Sequence, residues 1–211
     1  MKISTSILDC DNRIDAVLKL SHTNTSYIHI DAMDGNFVPA THFMDINEIK
    51  NISRVSDKLL DVHLMMDNPI TYIEQLSDVN IEFITIHLEI NQNKKVIFSK
   101  IKEKGYKVGL SIKPSTDVKE VIPYLDDIDM VLIMSVEPGL GGQKFMNATI
   151  QRIDELKELI YNSNQDILIE VDGGINNEII TKLENVDIAV VGSYIVKSDN
   201  YNEKINTLLQ I

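Results

Sequence analysis

The run Met130-Val-Leu-Ile-Met-Ser135 is almost unbroken in its apolar side chains, and it leads through Gly139-Leu-Gly-Gly-Gln-Lys144 into an amphipathic stretch from Thr149 to Tyr161. A short aliphatic run closed by a polar residue reads as a strand buried on both faces, and the stretch after it as a helix packed over that strand. Working outward in both directions, the same unit recurs. Strands are predicted at Ile3 to Leu8, Ser26 to Asp31, Lys58 to Leu64, Phe83 to His87, Lys107 to Ile112, Met130 to Ser135, Asp166 to Val171 and Ile188 to Val191. Helices are predicted at Arg13 to Leu20, Ile46 to Ile52, Ile70 to Leu76, Lys94 to Lys104, Val118 to Leu125, Thr149 to Tyr161, Glu178 to Leu183 and Glu203 to Leu209. Eight strands, each followed by one helix, imply a parallel sheet covered by helices, and eight is the number that closes into a (β/α)8 barrel. An open doubly wound sheet is the competing arrangement. With no Pro/Gly/Ser linker, low-complexity tract or close repeat in view, residues 1–211 are expected to form one domain.

Composition narrows the function classes. The 211 residues are 44% hydrophobic and 25% charged, ordinary globular usage that excludes disordered and fibrous classes. Thirty-two Asp and Glu against 20 Lys and Arg leave a formal charge of -12, the wrong sign for a nucleic-acid partner. A small anionic substrate would need a local positive niche. The single cysteine, Cys10, excludes an internal disulfide and a Cys-rich zinc site, and reads as an inert small side chain in a reducing compartment. Met1 and Lys2 lead into a segment containing Asp9 and Asp11 rather than a signal-peptide apolar region, and no apolar run approaches the ~18 residues of a membrane span. A soluble, cytoplasmic protein without a membrane partner is expected.

Several predicted strands end in a polar side chain: Ser6, His29 and Asp31, His63, His87, Ser135, Asp172, Gly192 and Ser193. In a barrel, the strand C-terminal ends converge on one mouth. Helix-starting loops collect Ser and Asp as N-caps in any case, but capping leaves three strand-end histidines unexplained in a chain with five. His29-Ile30-Asp31 puts an imidazole and a carboxylate on one face of a strand, where they can share an ion. Asp61-Val62-His63 repeats the spacing in reverse order, and Asp172 follows the apolar run Ile167 to Val171. Two histidines and two carboxylates from three strands would suit Zn, Fe(II), Mn or Co rather than Ca or Mg. Spacing alone leaves the metal open, because catalytic barrels also use His and Asp without one. His63 and His87 have the alternative of a neutral buried imidazole bonded to a backbone carbonyl, and for His87 that, or support of a ligand, is preferred. His22 is expected in solvent after the first helix, and His42 near the mouth without a partner at ligand spacing.

Glycine clusters follow three consecutive strands: Gly139 with Gly141-Gly142, then Gly173-Gly174, then Gly192-Ser193. Each is an ordinary turn by itself. Together they match the backbone cradle that barrels use for a phosphate, which needs no arginine and reconciles an anionic substrate with the net charge. Met33, Met65 with Met66, and Met134 recur beside the polar residues; methionine is usually core filler, but here could keep water from a reactive intermediate.

The segments His29-Ile-Asp-Ala-Met-Asp-Gly-Asn-Phe-Val-Pro39, Asp61-Val-His-Leu-Met65, Ile84-Thr-Ile-His-Leu-Glu89, Val131 to Phe145, Ile169-Glu-Val-Asp-Gly-Gly174 and Val191-Gly-Ser193 closely resemble the ribulose-phosphate 3-epimerase family. The matches span nearly the whole chain in the same order. The resemblance implies a barrel of the ribulose-phosphate-binding type that interconverts D-ribulose 5-phosphate and D-xylulose 5-phosphate in the pentose phosphate pathway. It implies one divalent metal, no organic cofactor, and a homo-oligomer, dimer or hexamer. Carried over, His29, Asp31, His63 and Asp172 match the metal ligands, and Asp31 and Asp172 the acid/base pair. Ser6 and His63, the backbone of Gly139, Leu140, Gly141 and Gly142, Gly173-Gly174 and Gly192-Ser193 match the substrate and phosphate contacts. Met33, Met65 and Met134 match the pocket lining. Epimerisation beside a carbonyl removes a proton from one face and returns one to the other, so two carboxyl groups flank the substrate and a metal stabilises the enediolate between them.

The chain departs from the family pattern at Thr5, Asn36, Leu140 and the loop Ala40 to Asp45. None of these is a predicted ligand, but they bear on sugar-length selectivity. The alternatives are a 3-epimerase of D-allulose 6-phosphate and a non-catalytic phosphosugar-binding barrel. Related decarboxylases and synthases with an Asp-x-Lys-x-x-Asp strand are disfavoured, since His63 replaces the Lys and Met66 the second Asp.

Overall fold

A strand can be apolar at successive positions only where both faces are buried, and all eight predicted strands find that environment. The computed structural model describes residues 1–39 and 44–211. Its strands are β1 (Lys2–Ser6), β2 (Tyr27–Met33), β3 (Leu59–Met65), β4 (Ile81–His87), β5 (Lys107–Ile112), β6 (Met130–Met134), β7 (Leu168–Asp172) and β8 (Ile188–Val191). They pair in parallel and in chain order, and β1 returns to β8 through Lys2↔Ile188 and Thr5↔Val191, closing the barrel. The open-sheet alternative is thereby excluded. Ala40 and His42, part of the atypical loop, lie outside the described residues.

The α-helices are α1 (Arg13–Ser21), α2 (Ile46–Val55), α3 (Ile70–Gln75), α4 (Lys94–Glu103), α5 (Ala148–Ser163), α6 (Ser193–Val196) and α7 (Tyr201–Leu209). The expectation of one α-helix after every strand is corrected in three places. Val118–Asp127 is a 3-10 helix, because Pro123 lacks the N–H that an α-helical ladder needs there. The predicted helix from Glu178 to Leu183 shrinks to a 3-10 turn at Ile180–Lys182, too few residues to offset the cost of helix nucleation. The short α6 intervenes after β8 before α7 begins. Asn12, Asp45, Asn93, Asp117 and Asn200 accept the cap hydrogen bonds. None of these is a strand-end polar residue singled out above, so capping does not account for that set.

Strand alternation divides the barrel into two environments. Ile28, Ile30, Ile84, Ile86, Val131, Ile133, Ile169 and Val171 join the helix faces in the main core, each contributing about 1.5–3 kcal/mol by leaving water. The inward residues form layers, as barrel interiors do. Tyr27, Phe83, Met130 and Ile188 form an apolar plug near the strand N-termini, with Tyr27 and Phe83 edge to face at 5.8 Å. Above it lies a polar layer of Ser4, His29, Asp61 and Glu170, all 0% exposed. Asp31, His63, His87 and Asp172 come next, at the open end.

Candidate active site

The strand C-termini surround a cavity of ≈ 360 Å³. Its wall brings together Ser6, Asp31, Met33, Met65, Met134, Gly139, Leu140, Gly141, Gly142, Asp172, Gly173, Gly174, Gly192 and Ser193. His29 and His63 are not on that wall; both are fully buried beside Asp31. Two strands end later in the chain than expected, which explains part of the convergence: β2 runs on to Met33, and β7, though shorter than predicted, ends on Asp172 rather than before it.

One ligand atom from each of His29, Asp31, His63 and Asp172 lies within 4.8 Å of all the others. Asp31 Oδ1 is 3.3 Å from His29 Nε2 and 3.3 Å from His63 Nδ1, and its Oδ2 accepts from Ser6 Oγ at 3.1 Å. His29 Nε2 is a buried nitrogen that makes no hydrogen bond. An orphaned imidazole nitrogen facing two carboxylates and a second imidazole is a donor set suited to a first-row divalent ion, so these residues fit one.

The two carboxyl groups are driven apart electrostatically. Burial alone would raise Asp31, but the imidazoles of His29 and His63 outweigh it and hold the carboxyl far below the usual range. Burial, reinforced by the charge of Asp31, pushes Asp172 up to about 6. Opposed shifts in neighbouring acids are the signature of a base and an acid sharing one site. Beneath them, His29 Nδ1 meets Asp61 Oδ2 at 2.6 Å, and Ser4 Oγ donates to the same oxygen at 2.8 Å. Burial opposes charge on His29, yet Asp61 and Asp31 raise it well above its ordinary value. Burial and the neighbouring Asp61 drive the Glu170 carboxyl the same way, well above the usual carboxylate range.

A second chain of contacts fixes His63. His63 Nε2 lies 2.9 Å from His87 Nε2, and His87 Nδ1 lies 3.1 Å from Glu89 Oε2. Glu89 Oε1 accepts from the Lys113 backbone N–H at 2.7 Å and from Thr116 Oγ1. Arg152 ties the same loop by donating to Lys113 O and Thr116 O at 2.8 and 3.0 Å. Burial holds His87 neutral, with its pKa near 4. When Glu89 accepts from His87 Nδ1–H, His87 accepts through Nε2 and His63 donates from Nε2, the tautomer that would leave His63 Nδ1 free to ligate an ion held beside Asp31. Two roles are expected of His87, a neutral buried imidazole or support of a ligand; it is buried and neutral, and its partners are the side chains of His63 and Glu89 rather than a backbone carbonyl.

The glycine loops meet at one side of the mouth. Gly142 and Gly174 have φ of +69° and +63°, and a Cβ on Gly174 would overlap Phe145 N and lie 2.7 Å from Gln143 O. Gln143 pins its loop by donating to Glu137 O and Leu140 O at 2.7 and 2.9 Å. The N–H groups of Gly141, Gly142 and Gly174 have no protein acceptor among the described residues, which leaves them free for an anion.

Sequence reasoning missed Asp61, Glu170, Glu89 and Gln143 as parts of the site. The alternation His87-Leu88-Glu89 repeats the spacing that exposed His29 and Asp31, so it was available as a signal. The contact of Asp61 with His29 depends on the cross-strand register His29↔Asp61, which spacing within one strand does not hold. Elsewhere His22 is exposed as expected, and burial and Asp9 raise the Cys10 thiol to about 11, in keeping with an inert side chain. Among the described residues no helix is long and apolar enough to cross a membrane.

Comparison with known proteins identifies the family of the chain. A family model described as the ribulose-phosphate 3 epimerase family matches residues 2–196. A Helicobacter pylori protein named ribulose-phosphate 3-epimerase is 34% identical over 213 residues, covering 100% of this chain and 98% of its own. The protein of that name from Bacillus subtilis is 37% identical over 184 residues, covering 84% of this chain and 83% of its own. Among solved structures, 3-hexulose-6-phosphate synthase from Salmonella typhimurium superposes with a TM-score of 0.68 at 19% identity, over 100% of this chain and 97% of that one. Tryptophan synthase from Mycobacterium tuberculosis gives a TM-score of 0.72 at 12% identity, over 99% of this chain and 91% of that one. At such identities the likeness to solved structures is one of fold alone.

Proposed function

The chain belongs to the ribulose-phosphate 3-epimerase family, and from that premise we propose that it interconverts D-ribulose 5-phosphate and D-xylulose 5-phosphate. The observation that carries this reading is that Asp31 and Asp172 both reach the wall of one cavity, beside His29 and His63 in one cluster. In the forward direction Asp31, unprotonated, takes the proton from the carbon next to the carbonyl. Asp172, protonated, delivers one to the opposite face, and the roles exchange in reverse. Ser6 steadies the Asp31 carboxylate through its hydrogen bond. Met33, Met65 and Met134 form an apolar wall that keeps bulk water from the carbanionic carbon. Gly141, Gly142, Gly174 and Ser193 hold the phosphate end by backbone N–H donation, an attraction that works against a net charge of -12 because it is local. A divalent ion held by His29, Asp31, His63 and Asp172 would supply Lewis-acid stabilisation for the negative charge that builds on the substrate oxygens. No organic cofactor is required. Family resemblance supports a homo-oligomer working in the cytoplasm on the pentose phosphate pathway.

The test is a coupled assay of metal-analysed protein on D-ribulose 5-phosphate and D-allulose 6-phosphate, before and after chelation and metal restoration. The expected result is preference for the pentulose, with turnover reduced at least about 100-fold by chelation and recovered with Zn, Fe(II), Mn or Co. Preference for the hexulose would keep the chemistry and change the substrate. Absence of turnover with every metal would leave a binding barrel.

The Glu89 contact yields its own expectation. Glu89→Leu removes the acceptor that sets the His87 and His63 tautomers, and metal affinity should fall by about 10–100-fold. Glu89→Gln, which still offers an oxygen to His87 Nδ1, should retain most of it. Competition with a chromophoric chelator measures both, and equal affinities in wild type and Glu89→Leu would show that the chain of contacts does not position His63.

A further inference from the structure

The side of the mouth assigned to the phosphate already contains an anion of the protein itself. Asp9, in the loop after β1, lies on the cavity wall beside the glycine loop. Its Oδ2 accepts from Ser193 Oγ at 2.5 Å and is 3.4 Å from Lys197 Nζ. A Cβ built on Gly141 would overlap Asp9 Oδ1 and lie 2.7 Å from Asp9 Cγ. A Cβ on Gly142 would be 3.7 Å from Ser193 Oγ and 4.0 Å from Lys197 Nζ. One carboxylate, one ammonium, one hydroxyl and two glycine backbones therefore converge within a few ångströms. The carboxylate occupies both that hydroxyl and that ammonium itself.

We propose that Asp9 sets the affinity of the phosphate side of the cavity, as an internal counter-anion that holds Lys197 and Ser193 until a phosphate monoester takes them over. The inference rests on the phosphosugar reading above and deepens it. On binding, Lys197 exchanges one anion for another, so the site gains less than a bare ammonium would provide. The phosphate dianion meets a like charge that remains on the cavity wall, and such proximity weakens binding substantially even at the high effective dielectric of a protein surface. Asp9 thus sets phosphate affinity low.

Calorimetric titration of inorganic phosphate and of D-ribulose 5-phosphate into wild type, Asp9→Asn, Lys197→Met and the double variant tests this. Asp9→Asn should bind both ligands about tenfold more tightly, Lys197→Met about tenfold more weakly, and the double variant should return to within about threefold of wild type, since paired charges cancel. Unchanged or weaker binding by Asp9→Asn at an unaltered melting temperature would overturn the proposal, because the amide oxygen still accepts from Ser193 Oγ and the charge alone has been removed. If Asp9→Asn does not fold, Asp9→Ser carries the same comparison. Should neither ligand bind wild type or any variant, the phosphate reading itself fails and takes this inference with it, whereas measurable but equal affinities would sink the inference alone.

Discussion

Asp172→Asn is expected to lower kcat by about 10³-fold or more and at the same time to raise the melting temperature of the metal-free barrel at pH 8. The two effects have one cause. Burial, with the negative charge of Asp31 beside it, holds the Asp172 carboxyl at about 6, above its ordinary 3.8. The folded state therefore binds this proton more tightly than the unfolded chain does. Near pH 3 the group is protonated in both states and costs nothing. As pH rises through about 4 to 6 the unfolded chain ionises more readily, so stability falls, and by pH 8 the whole penalty of about 2–3 kcal/mol is present. An amide removes that penalty and with it the proton donor. Calorimetric melting at pH 4 and pH 8 after chelation should show a gain on the order of 5 °C at the higher pH and little at the lower. Near-normal turnover by the variant would refute the two-acid mechanism, whatever its stability.

Gly174→Ala should be strongly damaging for a single added methyl group. The position needs φ of +63°, and the new carbon would overlap Phe145 N and approach Lys144 C to 3.0 Å. Those neighbours are backbone, so neither can rotate away. The expected cost is about 3–4 kcal/mol from overlap plus left-handed strain, with KM for the phosphosugar raised at least about 100-fold as the loop from Gly139 to Lys144 moves off. Gly105→Ala is the matching control. It shares a positive φ of +82° but meets nothing within 4 Å, so it should lose only about 1 kcal/mol and leave KM unchanged. Equal effects in the two variants would show that the crowding at Gly174 is not what shapes the cradle.

The readability of this chain followed the range of the interactions involved. His29 and Asp31 are two apart on one strand, so their common face was legible directly. Burial on both sides of β6 was legible from Met130 to Ser135 for the same reason. Pro123 lay inside a predicted helix, and its missing N–H was a local sign of the 3-10 geometry observed. The four residues of α6 show no helical period because they span barely one turn. Asp61 under His29, His87 against His63, and Asp9 against Ser193 are contacts between different strands or loops. They depend on register and closure, which spacing along one segment does not encode. Glu170 stood inside a quoted motif, yet only the closed barrel reveals how dry its position is.

The scatter of the site over the chain governs how the protein is born. His29, Asp31 and His63 leave the ribosome early, while Asp172 follows roughly a hundred residues later, on the order of ten seconds at ordinary synthesis rates. During that interval the nascent chain displays these three side chains without the strand that brings Asp172 to them and without the β1–β8 seam. The four side chains can share one site only once β7 is in place, and the barrel that holds them closes later still, when β8 pairs with β1.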